Sequence, residues 1–215
     1  MNEIRAAVPA SKNTVKTPPL LKKVTGVILA GGKSTRYGRN KAFAEIQGIP
    51  LIERVTTVMG SVFQRLVIST NSPQEYAYLG LPMAEDIIKG IGPLGGIYTC
   101  LNMIPDDAGF FVACDMPFLN ASLLRLMVEA WEDCDAVVPR LGRMYEPLHA
   151  LYAKTCLVSL REGIDFRRYQ IVESFHRLRI RYVDEDVIRA VDPDLKCLSN
   201  VNRPGDLSGI ETERG

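Results

Sequence analysis

Three observations predict an α/β fold, a single Rossmann-like domain with a mostly parallel, twisted sheet and helices on both faces. Apolar runs at 24–30, 66–70 and 110–114 read as buried strands. They alternate with stretches of helical spacing such as 51–62, the pattern of β-α units on a parallel sheet. The chain of 215 residues is long enough for one such domain.

In order, strand one is 24–30, and Leu51, Val55, Val58 and Val62 recur at helical spacing, so 51–62 is a helix with Pro50 in its first turn. Strand two, 66–70, ends in Asn71-Ser72-Pro73; 74–79 is a short helix and 81–84 a short strand followed by Glu85-Asp86. The glycine-rich loop 90–96 opens a helix to about Met103. Strand four, 110–114, ends in Asp115-Met116-Pro117, and Asn120 or Ser122 caps a helix to Trp131. Strands at 136–139, 148–152 and 179–183 and helices at 155–163 and 167–175 complete the body, with a short helix expected after Gly205. Residues 1–22 hold Pro9, Pro18 and Pro19 without periodicity and are expected to form a flexible tail, leaving 23–215 as the domain.

The stretch Gly32-Lys33-Ser34 looks like the tail of a P-loop, but G-x-x-x-x-G-K-S/T would need a glycine at 27, where Val27 stands in an apolar strand. What remains is a strand ending in Gly31-Gly32 and a polar loop carrying Lys33, Arg36, Arg39 and Lys41. Two glycines let backbone N–H groups approach a ligand, and four cations suit a polyanion. A glycine turn with solvated basic residues is the bland alternative.

Asn71, Asp86 and Asp115 each follow a strand, as the double glycine does, so all four features fall where open α/β sheets bind ligands. Asp115 is the metal candidate: a strand-end carboxylate suits Mg²⁺, which takes one or two carboxylates plus substrate phosphates. Its competing reading is a helix cap or turn. Asp86 fits a ligand contact or a turn cap equally. Lys41 and Arg36 suit phosphate oxygens.

A net charge of +1 gives no general nucleic-acid surface, and no apolar run approaches the roughly 20 residues that span a bilayer. Cys100, Cys114, Cys134, Cys156 and Cys197 are scattered and odd in number, which fits core positions in a reducing cytoplasm. His149 lies in an apolar strand and reads as a satisfied core residue; His176 reads as structural. Without a hydrolase triad, phosphates, a metal carboxylate and cations suit phosphoryl or nucleotidyl transfer.

Leu29-Ala-Gly-Gly-Lys-Ser-Thr-Arg-Tyr-Gly-x-x-Lys41 resembles the L-A-G-G-x-S-x-R-M-G-x-x-K signature of sugar-nucleotide and related nucleotidyltransferases, with Tyr37 where methionine is usual. With Glu85-Asp86, Gly92-Pro-Leu-Gly-Gly96, Cys114-Asp-Met-Pro117, Glu146-Pro-Leu-His-Ala-Leu-Tyr152 and Asn200-Val-Asn-Arg-Pro204, the chain resembles the molybdenum cofactor guanylyltransferases over about 24–207. The resemblance implies a fold of the nucleotide-diphospho-sugar transferase type and transfer of GMP from GTP to the terminal phosphate of molybdopterin, with release of pyrophosphate. It assigns Leu29, Ala30, Gly31, Gly32 and Gly95 to the nucleotide, Lys41 and Arg36 to phosphate charge, Asp86 to the nucleotide, Asp115 to Mg²⁺, and Asn200 and Asn202 to the pterin side. Ser69 stands where asparagine is frequent in the family, with Asn71 two residues on, so both are candidates for the nucleotide contact.

Alternatives are transfer of CMP to the same pterin, a sugar-phosphate nucleotidyltransferase, or a non-catalytic adaptor that binds nucleotide and delivers the cofactor. The implied partners are GTP, molybdopterin and, transiently, molybdoenzyme apoproteins or other cofactor-biosynthesis proteins; the expected state is a cytoplasmic monomer bound to neither membrane nor nucleic acid.

Overall fold

The computed structural model describes residues 20–21, 23–31 and 40–201. After β1 (Val24–Leu29) comes a hairpin of β2 (Glu45–Ile46) and β3 (Ile49–Pro50), then α1 (Leu51–Val62), β4 (Leu66–Ser69), α2 (Pro73–Tyr76), β5 (Met83–Ala84), α3 (Pro93–Met103) and β6 (Ala108–Ala113). The second half runs α4 (Ala121–Glu129), β7 (Ala136–Leu141), β8 (Met144–Tyr145), β9 (His149–Ala153), α5 (Leu157–Asp165), β10 (Ile180–Asp184) and α6 (Glu185–Val191). The main sheet has the order β10-β7-β9-β6-β1-β4-β5, with β8 paired to β7. Its pairs are parallel except those made by β9 and β8. The expected α/β architecture is therefore present.

Side-chain alternation divides the core in two. Ile28, Phe110 and Val112 point toward α1, α4 and α6, meeting Ile52, Val55, Met59, Leu123, Leu124 and Ile188. Val27, Leu29 and Phe111 point to the other face and meet Leu94, Ile97 and Leu101 of α3 and Leu160 of α5. The α3 layer is packed so closely that a Cβ on Gly96 would lie 2.6 Å from Ser69 Oγ and 2.9 Å from Leu29 Cδ2. This lets the N-terminus of α3 reach the sheet edge beside β4 and β5.

Several local expectations need correction. Pro50 is not in the first helical turn; it precedes α1 at φ −55°, ψ 144° and pairs with Glu45. The hairpin was hidden because its turn uses Gln47 and Gly48, both at positive φ (54° and 72°), rather than Asn-Gly. The helix expected at 155–163 is a 3-10 turn at Lys154–Cys156 followed by α5, and that at 167–175 is a 3-10 segment at Ile171–Arg177. Helix α6 was unforeseen. Its N-cap, Asp184, gives its carboxylate to a bidentate pair with Arg140 rather than to the helix. The helix expected after Gly205 lies outside the described residues.

Candidate active site

The parallel strands end flush. Leu29 is level with Ser69 and with Ala113, and Ser69 with Ala84. The following residues, Ala30-Gly31, Thr70-Asn71, Glu85-Asp86 and Cys114-Asp115, therefore emerge side by side. Hydrogen bonds continue the ladder past the strands: Ala30 N–H donates to Ser69 O (2.8 Å), Thr70 N–H to Ala84 O (2.9 Å) and Cys114 N–H to Leu29 O (3.1 Å).

On the β5 side, Asn71 and Asp86 hold each other. Asn71 Nδ2 donates to Asp86 Oδ2 (2.8 Å), and the Asp86 N–H donates to Asn71 Oδ1 (3.2 Å). The next N–H, of Ile87, donates to the buried Thr99 hydroxyl (2.9 Å), which fastens this loop to α3. Gly95 lies close beneath it: a Cβ there would come within 2.9 Å of the Ile88 carbonyl and 3.4 Å of Asp86 Cγ. Gly92 at φ 66° and Pro93 set the start of α3, whose positive end faces the pair. Ser69 is only 3% exposed and sits under Gly96, so its side chain belongs to the packing of α3, while Asn71 is exposed at the crevice.

On the β6 side, Lys41 Nζ donates to Asp115 Oδ2 at 2.7 Å, with side chains 13% and 24% exposed. The two groups expected to serve phosphate and metal thus meet. The pairing depends on residues that sequence reasoning missed. Asn40 caps a 3-10 turn at Lys41–Phe43 by accepting from the Ala42 N–H, and its amide donates to Glu75 and to the Tyr76 hydroxyl (2.9 Å). Tyr76 in turn donates to the Ala30 carbonyl (3.2 Å), and its ring stacks on Phe43 at 5.2 Å. Burial pushes the Tyr76 phenol up, so it stays a neutral donor. The only sequence signal was an Asn directly before the lysine of the signature.

Glu146 is the other residue missed as a site group. Its N–H donates to Pro139 O (3.1 Å), and its carboxylate accepts from the Leu148 N–H at 3.4 Å. Burial pushes its carboxyl up, the Leu148 N–H works against that, and the charge of Asp115 adds to the rise. The segment after α6 returns to the same place: the Val201 N–H donates to Asp115 O (2.9 Å), and Val201 packs with Ala44, Ile46 and Leu51. Asn200 is therefore exposed next to the Asp115 turn. Gly32, Lys33, Arg36, Arg39 and Asn202 lie outside the described residues.

Other candidates leave the chemistry. Burial, with help from Asp115, pushes the Cys114 thiol up to about 12, and burial pushes Cys100 and Cys156 to about 12 as well, so these are packing residues. His149 is in the core as expected but is not satisfied there. Both ring nitrogens lack a hydrogen-bond partner, the ring meets Phe110 edge-on at 5.5 Å, and burial pulls its pKa down to about 3. His176 is exposed and accepts from Arg177.

Among the described residues no three or more His, Cys, Asp or Glu side chains form a metal cage. A hard carboxylate such as Asp115 fits a cation that draws its remaining ligands from phosphates and water. No helix among them is long and apolar enough to cross a membrane.

A family model described as the MobA-like NTP transferase domain matches residues 26–178. A molybdenum cofactor guanylyltransferase of Desulfosudis oleivorans is 37% identical over 190 residues, covering 87% of this chain and 94% of that protein. A protein of Pelotomaculum thermopropionicum named as a probable molybdenum cofactor guanylyltransferase is 38% identical over 185 residues, covering 86% and 90%. The crystal structure of molybdopterin-guanine dinucleotide biosynthesis protein A from Archaeoglobus fulgidus has a TM-score of 0.76 at 28% identity, covering 87% of this chain and 97% of that one.

Proposed function

The chain belongs to the MobA-like NTP transferase family, and from that membership we propose that it is a molybdenum cofactor guanylyltransferase. It transfers GMP from GTP to the terminal phosphate of molybdopterin and releases pyrophosphate. The observation that carries the reading is the 2.7 Å Lys41–Asp115 pair at the flush ends of β1 and β6. It sets a phosphate-binding cation against a metal-binding carboxylate where the first glycine turn would deliver a triphosphate.

The family's chemistry uses a divalent metal, and Mg²⁺ held by Asp115 is the fit we favour, supplying charge neutralisation at the reacting phosphates. Lys41 would offer its ammonium to phosphate oxygens, and Arg36 is assigned the same duty. The attacking group is already a phosphate anion, so no protein base is required. Leu29, Ala30, Gly31, Gly32 and Gly95 offer backbone to the nucleotide. Asn71 and Asp86 present two acceptors and one amide donor that suit a base or ribose edge; the burial of Ser69 favours Asn71 in this role. Asn200 and Asn202 take the pterin side, supported by the Val201–Asp115 hydrogen bond. Residues 23–215 act as one domain, working as a monomer in the cytoplasm, in keeping with five free cysteines, and hand the product to apoenzymes by transient contact.

Thermal unfolding with Mg²⁺ and each of GTP, CTP, ATP and UTP tests the choice of nucleotide. At about 100 times its Kd a ligand stabilises by roughly 2.7 kcal/mol. GTP alone should shift the transition. A shift with CTP alone would move the assignment to cytidylyl transfer.

A further inference from the structure

We propose that Glu146 is a second carboxylate ligand for the divalent cation at Asp115, an inference that rests on the metal-binding role given to Asp115 above. Strands β6 and β9 pair antiparallel, with Val112 opposite His149, and the Ala113 N–H carries the ladder one residue further by donating to the Leu148 carbonyl at 3.0 Å. Both chains turn just beyond that bond, with the Met116 N–H donating to the Ala113 carbonyl (3.2 Å) and the His149 N–H to the Glu146 carbonyl (3.3 Å), so Asp115 and Glu146 lie in two turns held side by side by the Ala113–Leu148 hydrogen bond. The negative charge of Asp115 acts on the Glu146 carboxyl, and two like charges so placed are destabilising.

The fold nevertheless fixes Glu146 firmly in place. Its N–H is held by Pro139 O (3.1 Å), its carbonyl accepts from the His149 N–H (3.3 Å), and the next carbonyl, of Pro147, accepts from the buried Tyr152 hydroxyl (2.9 Å). Among the described residues Glu146 makes no ion pair, and Lys41 bonds to the Asp115 carboxylate instead. Half-buried, rigidly aimed and next to a like charge, a carboxylate of this kind is in the condition that a hard divalent cation relieves. Two carboxylates plus substrate phosphates is also a ligand set that suits such an ion.

The test is Mn²⁺ binding to the full chain without nucleotide, read as loss of the free-ion EPR signal. The wild type should take up the ion. Glu146→Gln should bind it about tenfold or more weakly, and Glu146→Asp should recover part of the affinity. A cooperative thermal transition in the Gln variant at or above the wild-type temperature would show that its fold is intact. Wild-type affinity in Glu146→Gln, with affinity lost in Asp115→Asn, would overturn the role of Glu146 alone. Wild-type affinity in Asp115→Asn would overturn the metal role of Asp115 and this inference with it. No Mn²⁺ uptake by the wild type would overturn a preformed pair of ligands.

Discussion

Where β7 and β10 begin, Asp135 accepts from the Thr155 hydroxyl (2.7 Å), the Arg179 backbone N–H (2.9 Å) and the Arg179 guanidinium (3.3 Å). Where β6 stops, Asp115 is paired with Lys41, and Glu146 makes no ion pair among the described residues. At the same end of the sheet, Asp106 accepts from the Thr25 hydroxyl (2.8 Å), and both its oxygens accept from Arg65 Nη1 (2.9 and 3.1 Å). The pKa directions follow. Burial works against ionising Asp135, but the Arg179 N–H, Thr155 and the Arg179 guanidinium outweigh it and hold the carboxyl below its usual range. Glu146 goes the other way. One end of the sheet is built for stability. Among the described residues the other end gives the Asp115 side chain one cation, Lys41, and Glu146 no ion pair, which suits groups that take up a ligand.

The contrast can be broken by exchanging which property each end loses. The largest effect is at Asp115: Asp115→Ala should lower guanylyl transfer by on the order of 1,000-fold while the melting temperature holds, measured as pyrophosphate release beside a thermal melt. Near-normal turnover would remove Asp115 from the mechanism. Asp135→Ala should do the reverse, costing about 3 kcal/mol in urea unfolding and leaving turnover per folded molecule unchanged.

Between the two lies Tyr76→Phe. It deletes the hydrogen bonds to the Ala30 carbonyl and from the Asn40 amide, so it should cost about 1 kcal/mol and raise the KM for GTP more than it lowers kcat. An unchanged KM would make Tyr76 a packing residue only.

The smallest effect is in pH dependence, and its sign differs between the ends. Asp135 has a lowered folded pKa, so its contribution is complete above about pH 4 and fades as pH falls through the folded value. Glu146 has a raised folded pKa, so its ionisation costs stability as pH rises through that value. Glu146→Gln should therefore raise Tm by about 2 °C at pH 7, with the gain vanishing near pH 4. A lower Tm at pH 7 would mean that the carboxylate is satisfied after all.

The architecture was legible because it depends on periodicity. The alternation of Ile28 with Val27, and of Phe110 with Phe111, that divides the core is a property of the sequence. That Asp86, Asn71 and Asp115 emerge together at the strand ends was legible because position at a strand end is itself a signal. Tyr76 and Asn40 were not, because Tyr76 reaches Ala30 across 46 residues of chain and Asn40 reaches Tyr76 across 36, and nothing local marks such a partner. Glu146 escaped for a similar reason. Its meaning comes from the turn before β9 lying beside the turn after β6, joined by the Ala113–Leu148 hydrogen bond, and a sequence does not print such a neighbour. Ser69 shows the reverse: it stood in the expected place, and only the closeness of Gly96 reveals that it faces a helix.

The most direct test of the account is transfer of label from α-³²P GTP to molybdopterin by the purified chain with Mg²⁺. The account predicts that the label moves to the pterin product with one pyrophosphate released per transfer, and that Asp115→Ala abolishes both. Label retained in GTP while molybdopterin and Mg²⁺ are saturating, or transfer only from labelled CTP, would contradict it.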